Sequence, residues 1–313
     1  RPLSNAPFGG HRRGLHFAQF LKAVGRHADA VSRISPSNRG HYSMLSRIIS
    51  LSGAFQRPVS KGAEDNGTGV GSSKPHNRNT VEKQTLSELT INIFSQNVRG
   101  LQRDEYVEES TRWMAQNNAF ATCMQETWKL GDTLEETNSM LIMNHGPKEK
   151  LCKRGSLGVA IALSPDARKA WERAGSQRLY FGLRIIATRL RIIDNANRPL
   201  MIFLVSAYSP TGAAPQAERE EYAAQLQQCI NSCRKGEVLV IGTDANASPG
   251  IRSKHDNKYE AGRDQVRGPF GANYQNKAGR ELVNLLGRNE LCLANTLFKK
   301  HRYCTWTNPC NKL

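Results

Sequence analysis

Nowhere in the 313 residues does an apolar run approach the ~20 needed to span a bilayer. The chain therefore reads as soluble and intracellular, nuclear or cytoplasmic. Cysteine is sparse and unpatterned: seven residues, an odd number without regular spacing and without a signal-like apolar segment ahead of them. That argues against a disulfide framework and for a reducing compartment. Cys304 and Cys310 are too isolated to make a zinc ribbon. Acidic residues are scarce at the start, with twelve Lys and Arg against three Asp and Glu over residues 1–80. There is no initiating Met and the chain ends in a polar run at Leu313, so it reads as a piece of something longer.

The whole chain carries a formal net charge of +17 and a pI near 9.8. That excess points to a polyanionic partner, nucleic acid ahead of an anionic membrane surface. Residues 1–84 read as a disordered basic tail and linker, and 85–313 as a single domain. Within the tail, Leu15 to Ile34 has the spacing of a basic amphipathic helix, with Phe17, Phe20, Leu21, Val24 and Ala28 near one face. Its Arg-rich, acid-poor composition also fits mitochondrial targeting in kind, and a nucleic-acid-binding arm is a third reading. From Ser60 to Lys83 the chain is Gly, Ser, Asn and charge, with almost nothing to bury.

Order is expected from Leu89. Leu89, Ile91 and Ile93 alternate with polar neighbours, a half-buried strand that ends in Gln96-Asn97-Val98-Arg99-Gly100. A helix is predicted from Tyr106 to Asn117, then strands from Ala119 to Thr127 and from Leu157 to Leu163. Two β-rich runs, Phe181 to Ile193 and Leu200 to Tyr208, flank a polar gap at 194–199 that reads as a hairpin loop. The clearest helix spans Gln216 to Cys233, where Tyr222, Leu226, Cys229 and Ile230 share a face. It feeds the buried strand Val238 to Ile241, which Gly242 stops. A loop from Ser248 to Lys277, a helix from Arg280 to Leu286 and a short apolar run at Leu291 to Ala294 follow. Partial βα alternation with a hairpin in the middle predicts an α/β fold with mixed rather than parallel sheets.

Five strand ends carry polar side chains that can converge: Asn97, Glu126, Tyr208, Asp244 and Asn246. Residues two apart, such as Asp244 and Asn246, offer a carboxylate and an amide together at the mouth of a strand. Each also has an ordinary reading: Asp244, Asn246 and Asn97 as turn formers, Glu126 as a solvated acid, Tyr208 as an amphipathic rim residue. His145, His255 and His301 read as polar surface.

The set QNVRG, MQET, AYSP and GTDANA, in that order, resembles the endonuclease/exonuclease/phosphatase superfamily and, within it, the endonuclease domain of non-LTR retrotransposons. Arg154 to Ala160, Lys277 to Arg280, Leu293 to Thr296 and Thr305-Trp306 are similar to further stretches of that pattern, so the resemblance covers about Leu89 to Pro309. It implies a DNase I-like α/β sandwich of two mixed β-sheets flanked by helices, and Mg²⁺-dependent cleavage of DNA phosphodiesters, with Mn²⁺ as the other candidate ion. It implies Glu126 as principal metal ligand with Asn97 beside it, and Asp244 as the group that positions or deprotonates water. Asn246 would hold a phosphate oxygen, Tyr208 would donate to the phosphate or leaving oxygen, and Asn295 and Trp306 would support the site and face DNA, although Trp306 reads more readily as packing than as a base-stacking residue.

The family pattern continues past its Thr-Trp pair with an Asp and then Ser-Asp-His, which residues 307–313 do not supply. By that comparison the last strands are missing. Two alternatives to the retrotransposon-type nuclease follow: a catalytically inactive nucleic-acid-binding remnant and an abasic-site repair endonuclease. A phosphatase or phospholipase of the same superfamily is disfavoured by the basic charge.

Overall fold

The computed structural model describes residues 18–22, 48–51, 89–150, 157–194, 197–251 and 266–299. In chain order its strands are β1 (Ala18–Lys22), β2 (Ile48–Leu51), β3 (Leu89–Asn97), β4 (Ala121–Gln125), β5 (Asp132–Glu136), β6 (Leu141–His145), β7 (Val159–Leu163), β8 (Arg178–Tyr180), β9 (Ile185–Ile193), β10 (Pro199–Tyr208), β11 (Val238–Asp244) and β12 (Cys292–Leu293). Its helices are α1 (Asp104–Gln116), α2 (Pro165–Arg173), α3 (Gln216–Asn231) and α4 (Lys277–Arg288).

The strands form two six-stranded sheets, ordered β2-β3-β4-β7-β6-β5 and β12-β1-β11-β10-β9-β8. Each holds one parallel pair, β3 with β4 and β10 with β11, among antiparallel neighbours. The fold is therefore α/β with two mixed sheets, as the alternation predicts.

Period-two patterning explains why these strands stack. Odd-numbered residues of β3, β4 and β7 (Ile91, Ile93, Ala121, Cys123, Val159, Ile161, Leu163) face even-numbered residues of β9 to β11 (Ile186, Leu190, Ile192, Ile202, Leu204, Val240) across the space between the sheets. The outer faces are apolar too. Phe203, Val205, Leu239 and Ile241 pack against Tyr222, Leu226 and Ile230 of α3 and Val283 and Leu286 of α4. Phe94, Met124 and Ile142 pack against Val107 and Met114 of α1. Strands buried on both faces read as nearly continuous apolar runs, which is why Val238–Ile241 stands out in the sequence.

Four expectations need correcting. Ala18–Lys22 is a strand where a helix is expected, and Ile48–Leu51 is a second short strand; the rest of the tail predicted over residues 1–84 lies outside the described residues. The backbones of these two strands pair antiparallel with β11 and β3, whose edges would otherwise present unpaired N–H and C=O groups. The run expected from Phe181 does not enter the sheet until Ile185, because Gly182, with φ of +66°, opens a 3₁₀ turn at Gly182–Arg184. The hairpin β5–β6 and helix α2 are additional elements. His145 is 8 % exposed rather than surface: Nδ1 pairs with Asp132 Oδ1 at 2.5 Å, Nε2 with the Gly182 carbonyl at 2.7 Å, and the ring stacks on Tyr180. Arg154, His255, His301, Cys304, Trp306 and Cys310 lie outside the described residues.

Candidate active site

The rows of side chains that face the inter-sheet space change character toward one end. On β3 the inward row reads Ile91, Ile93, Ser95, Asn97; on β10, Ile202, Leu204, Ser206, Tyr208; on β11, Val240, Gly242, Asp244. Apolar core gives way to small or polar groups and then to the predicted site residues. Tyr208 and Asp244 are direct partners in the parallel β10–β11 register.

Glu126 reaches the same place by a different route. Strict alternation after Gln125 would turn it toward α1. Instead Glu126 adopts φ of +55°, a left-handed conformation that costs an acidic residue on the order of 1 kcal/mol. The chain beside it is held by Gly100 N–H to the Glu126 carbonyl at 2.7 Å and Leu101 N–H to the Thr127 carbonyl at 2.7 Å. That strain places the carboxylate against groups from both sheets.

Asn97 Nδ2 donates to Glu126 Oε1 at 2.6 Å and to Asp244 Oδ2 at 2.8 Å, so one amide bridges two carboxylates. The Tyr208 hydroxyl donates to the same Glu126 oxygen at 3.0 Å. Asp244 Oδ1 accepts from the Asn246 backbone N–H at 3.1 Å, and Asn246 Nδ2 donates to the Ser209 carbonyl at 2.8 Å. Asn97 is 3 % and Asp244 8 % exposed, which sets both at the floor of the site. Burial, then the neighbouring Glu126 and Asp244 carboxylates, push the Tyr208 phenol well above its ordinary value, and Arg184 offsets this only in part. Tyr208 is thus a neutral donor across the physiological range.

The donor set fits a hard cation. Two carboxylates and an amide carbonyl are oxygen ligands of the kind Mg²⁺ takes while keeping several waters. Glu126 Oε1 already accepts two hydrogen bonds, so Oε2 would be the Glu126 oxygen to hold such an ion. Among the described residues there is no group of three or more His, Cys, Asp and Glu side chains able to hold a metal, so an ion here would have two carboxylates at most and would rely on amide and water oxygens for the rest.

Beneath the site lies a buried polar cluster that sequence reasoning missed. Gln125 Nε2 donates to Ser95 Oγ at 3.2 Å, Ser206 Oγ at 3.3 Å and the Gly242 carbonyl at 3.3 Å, joining the sheets. A Cβ on Gly242 would meet Cys123 Cβ at 2.5 Å, so glycine is what allows the sheets to close here. Counting back in steps of two from Asn97 and Tyr208 would have found Ser95 and Ser206. Arg184 and Glu218 were missed as well. The Arg184 guanidinium lies 5.3 Å from the Tyr208 ring centroid and pairs with Glu218 at 2.5 Å.

Five predicted residues are therefore one hydrogen-bonded group: Asn97, Glu126, Tyr208, Asp244 and Asn246. Asn295 sits half-buried in the 3₁₀ turn Ala294–Thr296.

Fold and site together define a two-sheet α/β sandwich with a carboxylate, amide and phenol cluster where strand ends from both sheets meet. Among known proteins, the sequence is 28 % identical over 154 residues to craniofacial development protein 2 of Bos taurus, covering 49 % of this chain and 23 % of that protein. It is 29 % identical over 135 residues to the Tragulus javanicus protein of the same name, covering 42 % and 22 %. The match thus spans about a quarter of the length of these relatives. Solved structures similar to this one include the catalytic domain of Xenopus laevis APE2, at 15 % identity and TM-score 0.38 over 62 % of this chain and 67 % of that one. Another is the AP endonuclease LMAP of Leishmania major, at 14 % and 0.40 over 63 % and 65 %. No family model matches the sequence. No described helix is long and apolar enough to cross a membrane.

Proposed function

We propose that the chain carries a metal-dependent DNA endonuclease site of the endonuclease/exonuclease/phosphatase superfamily, of the type found in non-LTR retrotransposons. The observation that carries this reading is the bridge from Asn97 to Glu126 and Asp244, with Tyr208 on the same Glu126 oxygen. Four side chains drawn from sequence positions up to 147 residues apart share one set of hydrogen bonds. A turn former needs only its own stretch of chain, whereas these side chains bond one another across two sheets.

Each residue has a task that its geometry suits. Glu126 Oε2 and the Asn97 carbonyl would hold Mg²⁺, or Mn²⁺ in its place. When bound, the ion supplies neutralisation of charge on the phosphoryl oxygens as the P–O bond breaks. Asp244, oriented by Asn97 and by the Asn246 N–H, accepts a hydrogen bond from the attacking water and takes its proton. Asn246 spends one amide hydrogen on Ser209 and keeps the other for a non-bridging phosphate oxygen. Tyr208, kept protonated, donates to the phosphate or to the leaving oxygen. The net charge of +17 supplies non-specific attraction to the DNA backbone.

Relaxation of supercoiled plasmid in Mg²⁺ tests the reading. Glu126→Ala should abolish nicking and Asp244→Asn should suppress it, because an amide cannot take the proton of water. Tyr208→Phe should be milder, since a single donor is lost. A duplex carrying one abasic site, cut far faster than an intact duplex, would assign the repair alternative. Salt-sensitive binding with no cleavage of either substrate would assign the inactive remnant. Undiminished nicking by Glu126→Ala would remove the site assignment altogether.

A further inference from the structure

Arg184 is the third residue of the 3₁₀ turn Gly182–Arg184, ahead of β9. Its side chain is only 16 % exposed. Nη2 is paired at 2.5 Å with Glu218 in the first turn of α3, Nη1 donates to the Tyr208 carbonyl at 3.4 Å, and the guanidinium carbon stands 5.3 Å from the Tyr208 ring centroid. The turn that carries it is itself pinned, because the Gly182 carbonyl bonds His145 Nε2 at 2.7 Å.

A cation within about 6 Å of a ring face is attracted by its quadrupole. Here the same guanidinium also touches the backbone of the residue whose ring it covers, so it fixes both ends of that side chain. A guanidinium so enclosed and already paired with a carboxylate is poorly placed to meet a DNA phosphate. We infer that Arg184, held by Glu218, is a positioning residue for Tyr208: it fixes the ring so that the hydroxyl meets Glu126. The chain of contacts runs Glu218, Arg184, Tyr208, Glu126, Asn97, Asp244, from the start of α3 across both sheets. This rests on the nuclease reading for its consequence in catalysis, but its structural content does not.

The test therefore has two arms. In the first, tyrosines are replaced by 3-fluorotyrosine and followed by ¹⁹F NMR, with the Tyr208 line assigned by its loss in Tyr208→Phe. Arg184→Met should shift and broaden the Tyr208 line while leaving that of Tyr274, which is 65 % exposed, in place. Arg184→Lys should fail to restore it, since a point ammonium lacks the planar fork, and Glu218→Gln should move it the same way by less. An unmoved Tyr208 line in Arg184→Met overturns the inference. If that variant does not fold, Glu218→Gln carries the arm, and an unmoved line there overturns it.

In the second arm, Arg184→Met should lower kcat about tenfold with KM within twofold, and should add nothing in the Tyr208→Phe background. Independent, additive losses would mark a merely structural role. A raised KM with altered salt dependence would mark a direct phosphate contact. Either overturns the inference. Glu126→Ala separates the two levels of argument. If it leaves nicking intact, the nuclease site is wrong and the ¹⁹F arm alone decides whether Arg184 positions Tyr208. If it abolishes nicking while Arg184→Met is silent in both arms, only the positioning role fails.

Discussion

Replacing Gln125 by leucine removes the amide that ties the sheets together beneath the site while nearly preserving side-chain volume. Gln125, Ser95 and Ser206 are all fully buried. Ser206 Oγ keeps a second partner, donating to the Met124 carbonyl at 2.9 Å, whereas the bonds described for Ser95 Oγ are both with Gln125. The variant thus strands the Ser95 hydroxyl and removes one donor from the Gly242 carbonyl. A buried polar group left unsatisfied costs about 1–3 kcal/mol, so Gln125→Leu should lose about 2–4 kcal/mol. With an m-value of about 3 kcal/mol/M, the urea midpoint should fall by about 1 M. Adding Ser95→Ala removes the stranded hydroxyl and should recover about 1–2 kcal/mol, making the pair non-additive. Chemical denaturation followed by tryptophan fluorescence measures all three variants. A loss below 1 kcal/mol for Gln125→Leu, or additive losses in the double variant, would refute a dry, mutually satisfied cluster.

The ion pair of Arg189 with Glu237, 2.7 Å apart and 6 % and 5 % exposed, is also anchored to the Ser232 carbonyl and the Arg234 N–H; Glu237→Ala should cost about 3–5 kcal/mol in the same assay by leaving a buried charge unpaired. Burial pushes the Cys123 thiol up to about 12, so at pH 8 it should resist a thiol reagent that labels it fully in urea; native labelling at the denatured rate would contradict its burial. Because an unfolded cysteine titrates near ~8.5, the fold excludes the thiolate. Stability from this group is intact below that pH and is lost as pH rises toward 12, which a pH series of urea midpoints on wild type and Cys123→Ala would detect as convergence at high pH. Binding to a random duplex should weaken linearly in log Kd against log salt, and a flat plot would show that the positive charge is not used on DNA.

Where local patterning sets structure, the sequence sufficed. The strand at Val238, the helix from Gln216 and the antiparallel pairing of β9 with β10 are each signalled by residues close together along the chain. Helix α2 was equally legible in retrospect, with Ser164 accepting from the Ala167 N–H at 3.2 Å and Pro165 in the first turn. The convergence of five polar side chains was legible because each sits at or just past a strand end with a recognisable neighbourhood. Illegible features depend on distant partners. Arg184 is unremarkable until Glu218 and Tyr208, 34 and 24 residues away, close around it. His145 reads as surface until Asp132 and Gly182 take both ring nitrogens. Edge strand β5 has the sequence DTLEE, three of whose five residues are poor strand formers; pairing with β6 overrides that.

Asn97 and Glu126 ride on one sheet, Tyr208, Asp244 and Asn246 on the other. The cluster therefore straddles a seam, and neither sheet holds all of it. With only the first sheet intact, Glu126 would keep the Asn97 amide but lose Tyr208 and Asp244; with only the second intact, Asp244 would keep the Asn246 N–H but lose the Asn97 amide. Assembly of the centre is then an all-or-none reporter of sheet docking. Any slippage of one layer past the other would change the spacing between Glu126 and Asp244, since Glu126 follows β4 directly and Asp244 ends β11. Gly242 against Cys123, and Gln125 against Ser206, act as the detents that oppose such slippage, so heat should disperse the cluster at the temperature where the layers part rather than where the helices melt.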